Sequence, residues 1–250
     1  MYEQNIVPTQ LNVKRDAAMQ RDVDFFCKHG YLVIDNALTP EQVETLRGAF
    51  SSVFDLANVG VEALRQQLLD VDRRFHFLLD NEPVIRRIEA ILGTCIQLHS
   101  ACAQIARPGA PDQKWHRDGP WPMDPEGTPY GSLPGQINCG YYLDPLTEQT
   151  GPIRVLPGSH RMNRAAPDGH PALPNEVAVY ASPGQAVLFD GWLWHRRGNN
   201  TSTVDRRVCL MCYQNAWMKP RETFDGPLVR EMIEQGDARR RLLLGEVRSW

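Results

Sequence analysis

The chain has 250 residues, of which 42% are hydrophobic and 23% charged, and its formal net charge is -3. This composition allows a sizeable core and excludes global disorder. The slight negative charge gives no broad attraction to nucleic acid or to anionic lipid, so we expect neither as a partner. No apolar run has the length of a transmembrane helix, and the first residues lack a signal peptide's apolar segment, which predicts a cytoplasmic location.

Helical patterns run from about residue 15 to about residue 93 and predict a scaffold that packs on something apolar. The segment RDVDFFCKHG ends with Gly30 in a helix-terminating position, and the short apolar run YLVID after it predicts a strand. In the next helix Thr39 is the expected N-cap, and Gln42 completes a capping box. A further amphipathic helix is expected to end at Gly93.

After Cys95 the pattern changes to short apolar runs separated by turn residues, as far as about residue 217. Several short strands at this spacing predict a sandwich or barrel, and a jelly roll is one way to close them without open edges. The last stretch, about 227–245, predicts one helix with an exposed basic face that includes Arg239 to Arg241. We therefore expect a single domain over 1–250, mainly β with flanking helices around a jelly-roll core.

Six cysteines in a reducing compartment indicate structural thiols rather than disulfides. Cys209 and Cys212 spell C-x-x-C within the apolar run RVCLMCYQNAW. An offset of three on a strand turns the two sulfur atoms to opposite faces of the sheet. We therefore do not expect these two residues to bind one metal ion together.

A candidate metal site begins with His116 and Asp118 in the segment KWHRDGPWP. Residues two apart on a strand face the same way, so both side chains can reach one ion, although a lone H-x-D is also common as a surface pair. His195, at the end of the apolar run QAVLFDGWLWH, is the expected third ligand. Two histidines and one carboxylate with open positions form the facial triad of non-haem Fe(II) oxygenases, whereas a structural zinc site needs four ligands.

Oxygen activation at such a metal needs an electron-donating co-substrate, and a dicarboxylate such as 2-oxoglutarate needs a buried cation for its far end. Arg206 opens the strand that follows His195, and a guanidinium grips a carboxylate with two hydrogen bonds. An ordinary salt bridge is the alternative role for Arg206. The adjacent Arg207 points to the other face of the strand and is expected at the surface.

These segments together resemble the phytanoyl-CoA dioxygenase family of iron- and 2-oxoglutarate-dependent oxygenases. The resemblance rests on W-H-x-D-G, on GQINCGYYLDPLTEQTGPIRVLPGSH and on H-x-x-x-x-N-x-S-x-x-x-R, and it extends from about residue 25 to about residue 217. It implies a double-stranded β-helix, which is a jelly roll, with Fe(II) on His116, Asp118 and His195. It also implies O2 as oxidant and Arg206 on the distal carboxylate of 2-oxoglutarate.

Three further polar residues are expected near the co-substrate. Asn138 lies in a strand that lines the 2-oxoglutarate site in the family, and Gln113 precedes the first metal ligand; for both, a half-exposed polar residue is the alternative. Ser202 matches the family spacing together with Asn200, and both would shape the turn before Arg206. His160, in the segment PGSH, corresponds to a structural corner of the family rather than to a ligand.

Arg197 departs from the family pattern, because relatives often carry a small residue such as serine two positions after the second metal histidine. This leaves open whether the distal carboxylate is held in the usual way or whether Arg197 points toward the substrate. The segment 107–135 is rich in glycine and proline and is the candidate mouth of the site. Its expected apolar wall consists of Trp121, Pro122, Met123 and Tyr130.

The resemblance implies oxidation of an unactivated C-H bond in a natural-product or lipid-like small molecule. Hydroxylation is the simplest outcome, with succinate and CO2 as co-products, although desaturation, cyclisation and endoperoxide formation use the same ligands. Two other functions stay open: a non-oxidative cupin-like metalloenzyme, such as an isomerase or epimerase, and a non-catalytic ligand-binding barrel. The expected oligomeric state is a monomer or homodimer.

Overall fold

The computed structural model describes residues 15–118 and 135–246. Its N-terminal part contains three α-helices and two short strands, with two 3₁₀ helices before the third α-helix. In chain order the elements are α1 (Ala17–His29), β1 (Tyr31–Ile34), α2 (Pro40–Val53), β2 (Glu62–Arg65), the 3₁₀ helices Leu68–Asp70 and Arg73–Leu78, and α3 (Glu82–Leu92).

Local sequence signals set the ends of these helices as predicted. Gly30 ends α1 with a φ of 81°, a left-handed conformation that side chains with a Cβ adopt at a cost. At the start of α2, the Thr39 side chain accepts the N-H of Gln42, and the Gln42 side chain accepts the N-H of Thr39. This reciprocal capping box satisfies two backbone donors that have no partner within the helix.

The following region is mainly strands, which are arranged in two sheets. The strands are β3 (Ile96–Ala106), β4 (Gln136–Tyr142), β5 (Ile153–Val155), β6 (Val177–Val179), β7 (Ala186–Asp190), β8 (His195–Arg197) and β9 (Arg206–Asn215). The large sheet has the order β1-β7-β4-β9-β3-β2 and the small sheet the order β6-β5-β8, and every pairing is antiparallel. This arrangement confirms the predicted mainly β architecture with a jelly-roll core and flanking helices.

The largest hydrophobic cluster lies between the large sheet and the helices. Phe50 of α2 and Ile88 of α3 belong to this cluster together with Leu188 of β7 and Met211 of β9, and all four are fully buried. Tyr213 of β9 connects the sheet to the helical layer by a hydrogen bond. Its hydroxyl donates to the carbonyl of Leu79, at the end of the 3₁₀ helix Arg73–Leu78, at 2.8 Å. A second, smaller apolar cluster lies between the two sheets.

Two parts of the chain differ from the sequence expectation. The strand predicted at YLVID is present as β1, which pairs with β7, but the N-terminal region also contributes β2, which pairs with β3, so both strands extend the edges of the large sheet. The predicted C-terminal helix is two helices, α4 (Pro227–Gln235) and α5 (Ala238–Leu243), since Asp237 caps a new start by accepting the N-H of Arg240.

The C-terminal arginines are also less solvated than predicted. Arg239 pairs with Glu89 of α3, at 2.7 Å, and Arg240 pairs with Asp80, also at 2.7 Å. These contacts attach α5 to the helical side of the large sheet. Of the helices in the described ranges, none combines the length and the apolar character needed to cross a membrane.

Candidate active site

The three predicted metal ligands come together in space. One ligand atom of each of His116, Asp118 and His195 lies within 4.8 Å of the others. The two imidazole rings are 4.3 Å apart between centroids, and Nε2 of His195 is 3.7 Å from Oδ2 of Asp118. The arrangement is therefore able to hold one metal ion from three protein groups.

Backbone pairing places these side chains. The N-H of His116 donates to the carbonyl of His195 at 3.0 Å, and the N-H of His195 donates back at 2.9 Å. The N-H of Asp118 donates to the carbonyl of Gly191, just after β7, at 2.7 Å. The segment before Asp118 thus runs along the edge of the small sheet, and its extended backbone turns residues 116 and 118 to the same side.

Hydrogen bonds to the backbone also fix the orientation of both rings. Nδ1 of His116 lies 2.9 Å from the carbonyl of Lys114, and Nδ1 of His195 lies 2.8 Å from that of Leu193. Because a carbonyl only accepts, each Nδ1 carries the proton and each Nε2 keeps a free lone pair. Burial lowers the pKa of His195, which favours the neutral form that binds metals.

Asn138 is bonded to the triad. Its amide Nδ2 donates to Oδ2 of Asp118 at 2.7 Å, from a largely buried position on β4. The structure shows a contact with the carboxylate of the triad, and the contact predicted between Asn138 and the co-substrate stays a prediction, since Asn138 also lines the cavity. Such a hydrogen bond orients a carboxylate ligand and restricts its rotation.

The triad opens into a cavity of about 830 Å³. Its lining combines apolar side chains from both sheets, such as Leu210 of β9 and Ile153 of β5, with Asn138 and several cations. The Phe189 ring packs 4.7 Å from that of His195 and shields one side of the imidazole. A mostly apolar cavity with a few convergent polar groups is typical of a site for a small organic molecule.

Arg206 lines this cavity and is almost completely buried. Its Nε donates to the carbonyl of Gly151 at 2.9 Å, and its guanidinium lies 5.1 Å from the ring centre of Tyr142. Burial lowers the pKa of Arg206, but an arginine remains charged. No carboxylate of the described residues forms an ion pair with Arg206. A buried cation without a counter-charge fits an anionic ligand.

Arg197 lines the same cavity from β8, and it is already paired. Its Nη2 contacts the carboxylate of Glu62 on β2 and donates to the carbonyl of Pro111 at 2.7 Å. The departure from the family pattern is thus accompanied by a counter-ion on a neighbouring strand. Arg207 lies on the opposite face of β9, as predicted. Its charge is not free at the surface, however, because it forms an ion pair with Asp144 at 2.6 Å.

Gln113 and Ser202, the other two residues predicted near the co-substrate, lie in different places. Gln113 lines the cavity, and its Oε1 accepts the N-H of Arg197 at 3.3 Å. Ser202 is not part of the cavity lining, because its hydroxyl donates to Oδ1 of Asn200, at 2.6 Å, within the turn before Arg206. Ser202 thus contributes to the turn before Arg206, and its predicted contact with the co-substrate stays a prediction.

The residues that the sequence set aside lie elsewhere. His160 is in a 3₁₀ turn, where its Nε2 lies 3.1 Å from the carbonyl of Cys27, and it is not part of the triad. Cys209 is buried in the cluster beneath the helices, whereas Cys212 lines the cavity, so the two sulfur atoms do lie on opposite faces. The expected apolar wall of Trp121, Pro122, Met123 and Tyr130 lies outside the described residues.

Sequence reasoning missed one wall of the cavity. His99 of β3 and the segment 219–222 after β9 both line it. Residues 219–222 contain no recognisable motif. Their approach to the cavity depends on an irregularity in β3 that no local sequence pattern predicts.

Comparison with known proteins gives a consistent result. The model of the phytanoyl-CoA dioxygenase (PhyH) family matches residues 26–208. A curated relative, dioxygenase af480 of Aspergillus fumigatus, is 25% identical over 257 aligned residues, which cover 93% of this chain and 79% of the relative.

Solved structures show the same fold at low sequence identity. HygX from Streptomyces hygroscopicus, with nickel, 2-oxoglutarate and hygromycin B bound, has a TM-score of 0.66 and 14% identity, covering 83% of this chain and 91% of HygX. The epimerase SnoN, in complex with Fe3+, alpha ketoglutarate and nogalamycin RO, has a TM-score of 0.65 and 16% identity, covering 84% and 91%.

Proposed function

Because the chain belongs to the phytanoyl-CoA dioxygenase family, we propose that it is an Fe(II)- and 2-oxoglutarate-dependent dioxygenase that oxidises a small organic molecule. The observation that carries this proposal is the pairing of two features in one cavity: a His-Asp-His triad able to hold a metal, and a buried arginine without a counter-ion. Nickel or Fe3+ together with 2-oxoglutarate in the two structural neighbours supports the same cofactors here.

We assign the metal to His116, Asp118 and His195. The donor set fits, because each imidazole presents a free Nε2 and the carboxylate is held by Asn138. Three protein ligands leave positions for a co-substrate and for dioxygen. When bound, the iron and 2-oxoglutarate together supply dioxygen activation, with succinate and CO2 as co-products.

We assign the distal carboxylate of 2-oxoglutarate to Arg206. Its charge faces the cavity while Nε is held by the Gly151 carbonyl and the guanidinium rests against Tyr142. Arg197 is neutralised by Glu62, which leaves Arg206 as the arginine of this pair that has no anionic partner. Gln113 is placed to assist, since it lines the cavity beside Arg197.

The residues around the triad orient the substrate and exclude water. Phe189 and Leu210 present apolar surface to the cavity, which favours burial of a C-H-rich part of the substrate. Hydroxylation of that part is the simplest outcome. The ligands fit other oxidative outcomes equally well, and one structural neighbour is an epimerase dependent on alpha ketoglutarate. The cytoplasmic location and the monomeric or dimeric state remain predictions from the sequence.

The decisive experiment uses the charge-transfer band that an Fe(II)-2-oxoglutarate chelate gives in the visible range. Anaerobic addition of both to the purified protein is expected to produce this band, and His116→Ala is expected to abolish it. Arg206→Ala is expected to keep iron binding and to weaken 2-oxoglutarate binding. His29→Ala, at the end of α1, serves as the control and keeps the band.

Absence of the band from the unmodified protein would overturn the oxygenase proposal. Metal binding by the triad without any effect of 2-oxoglutarate would favour the cupin-like metalloenzyme instead. Failure to bind either would favour a ligand-binding barrel. Once the band is established, admission of oxygen and measurement of succinate test turnover, and a metabolite screen with the same readout searches for the substrate.

A further inference from the structure

The wall of the cavity formed by residues 219–222 is held in place by a β-bulge. Pairing between β3 and β9 shifts register between Leu98 and Ser100, which leaves His99 without a partner in the ladder. The free carbonyl of His99 accepts the N-H groups of both Arg221, at 3.1 Å, and Glu222, at 3.2 Å. The bulge thus provides a backbone anchor for this segment.

The side chain of Glu222 provides a third anchor. Its Oε2 accepts the N-H of Ala101 at 3.0 Å, and the residue is only 5% exposed. Its other oxygen is shielded from solvent, and burial raises the pKa of the carboxyl group. Glu222 therefore anchors the segment through its side chain, and neither of its carboxylate oxygens is exposed in the cavity. Before Lys219, the carbonyl of Met218 accepts hydrogen bonds from the side-chain amides of Gln97 and Gln214, so the backbone is held on both sides of Lys219 and Arg221.

The charges that line the cavity are unequally matched. Five cations contribute to the lining of the described part, against two carboxylates, those of Asp118 and Glu222. Arg196 pairs with Asp112 at 2.6 Å, and Arg197 pairs with Glu62. A third cation, Arg206, is assigned above to the co-substrate. The carboxylate of Asp118 is assigned to the metal. Lys219 and Arg221 remain, and neither forms an ion pair with any carboxylate in residues 15–118 or 135–246.

We propose that Lys219 and Arg221 bind an oxyanion group of the substrate, a carboxylate or a phosphate. An exposed ammonium and an exposed guanidinium on an anchored segment suit such a group, since both donate charge-assisted hydrogen bonds to oxygen. Leu64, Ile153 and Leu210 line the same cavity and suit the hydrocarbon part. The substrate class is thus an amphiphilic acid, and the anion fixes which carbon faces the triad. This inference rests on the proposed function.

The test measures binding to protein already loaded with Fe(II) and 2-oxoglutarate under nitrogen, so that Arg206 is occupied. The probes are octanoate, its methyl ester and octyl phosphate, together with cholate and methyl cholate for a wider hydrocarbon part. Affinity is followed by the change in the charge-transfer band and, independently, by tryptophan fluorescence. We expect at least one acid to bind about tenfold more tightly than its ester, with the preference decreasing as salt is raised.

The double variant Lys219→Gln, Arg221→Gln is expected to remove this preference while ester binding and the charge-transfer band stay unchanged. Arg65→Gln, an exposed charge on β2 outside the cavity lining, is the matched control and should keep the preference. Equal affinity for acids and esters, or a preference that survives the double variant, overturns the proposal. A missing band with an intact, variant-sensitive preference would instead overturn the proposed function alone. Comparison of octanoate with octyl phosphate identifies the oxyanion.

Discussion

The two sheets of the barrel are stabilised by different interactions. The large sheet buries apolar side chains against the helices, as Leu188 and Met211 illustrate, and its strands β4 and β7 are buried along their whole length. The small sheet has strands of only three residues each, and its β8 consists of one histidine and two arginines, all buried.

Buried polar residues need partners, and the small sheet obtains them from outside itself. Arg196 reaches Asp112, Arg197 reaches Glu62, and His195 is paired through its backbone with His116. The large sheet therefore provides the larger apolar core, whereas the small sheet contributes a candidate metal ligand and two buried arginines to the cavity, to which the large sheet adds Asn138 and Arg206. Substitutions in the two sheets should affect different properties, and four measurements can test this separation.

The largest effect is expected for His195→Ala in the small sheet. Loss of one of three metal ligands should abolish 2-oxoglutarate turnover, measured as succinate formation, and lower the iron content of the purified protein. The free energy of unfolding of the metal-free protein should change less than it does for a core variant, because His195 is a member of neither apolar cluster, although its ring packs on Phe189. Substantial turnover with normal iron content would contradict the assignment of the ligand.

The opposite pattern is expected for Leu188→Ala on β7. This side chain is fully buried in the cluster beneath the helices, so its truncation should lower the free energy of unfolding by about 2–5 kcal/mol. Denaturant titration measures the loss. At temperatures where the variant stays folded, its affinity for Fe(II) should match that of the unmodified protein. A loss of metal affinity would show that metal binding depends on the packing of the large sheet.

Asn138 lies on the large sheet but bonds the carboxylate of the triad, so it tests the boundary between the two roles. Asn138→Ala should weaken metal binding by about 10–100-fold, because Asp118 loses the hydrogen bond that orients it. Metal titration with a competing chelator measures the change. Asn199→Ala, in an exposed turn, is the control and should leave the affinity unchanged.

The fourth measurement concerns pH. Burial raises the pKa of Asp190 to about 7 from its ordinary value of 3.8, and the carboxylate has a backbone partner, the N-H of Trp192. The folded protein therefore binds a proton that the unfolded chain releases, so stability should decrease as pH rises through the interval from about 4 to about 7.

Asp190→Asn keeps the acceptor oxygen and removes the titration. We expect it to flatten this part of the stability profile, as measured by denaturant titration at several pH values. Asp168→Asn, on a carboxylate that is 96% exposed, should leave the slope as it is. An unchanged slope in Asp190→Asn would show that another group is responsible.

The sequence predicted the features that depend on local rules. Alternation along a strand placed His116 and Asp118 on one side, and capping chemistry placed the start of α2 at Thr39. Cys209 and Cys212 were assigned to opposite faces for the same reason of period two. The triad was also predictable, because the motif order along the chain identified His195 as the partner of a distant H-x-D.

Contacts that depend on tertiary geometry were not predictable. Glu62 lies on a short, mostly exposed strand without apolar alternation, so nothing local indicated that it would meet Arg197. Arg239 and Arg240 formed a basic run that suggests solvent, yet acidic residues of the helical layer lie opposite. The bulge at His99 depends on register between strands that are far apart in sequence, and a one-residue shift leaves no mark in composition.

A metal ion bound by His116 and His195 would connect two distant parts of the chain that reciprocal backbone hydrogen bonds already hold together. An ion held there ties the edge segment to β8, so its binding energy adds directly to the cost of peeling that segment from the barrel. Metal binding and the pairing of this segment with β8 should consequently stabilise each other. A chelator should act on this protein as a local unfolding agent as well as an inhibitor.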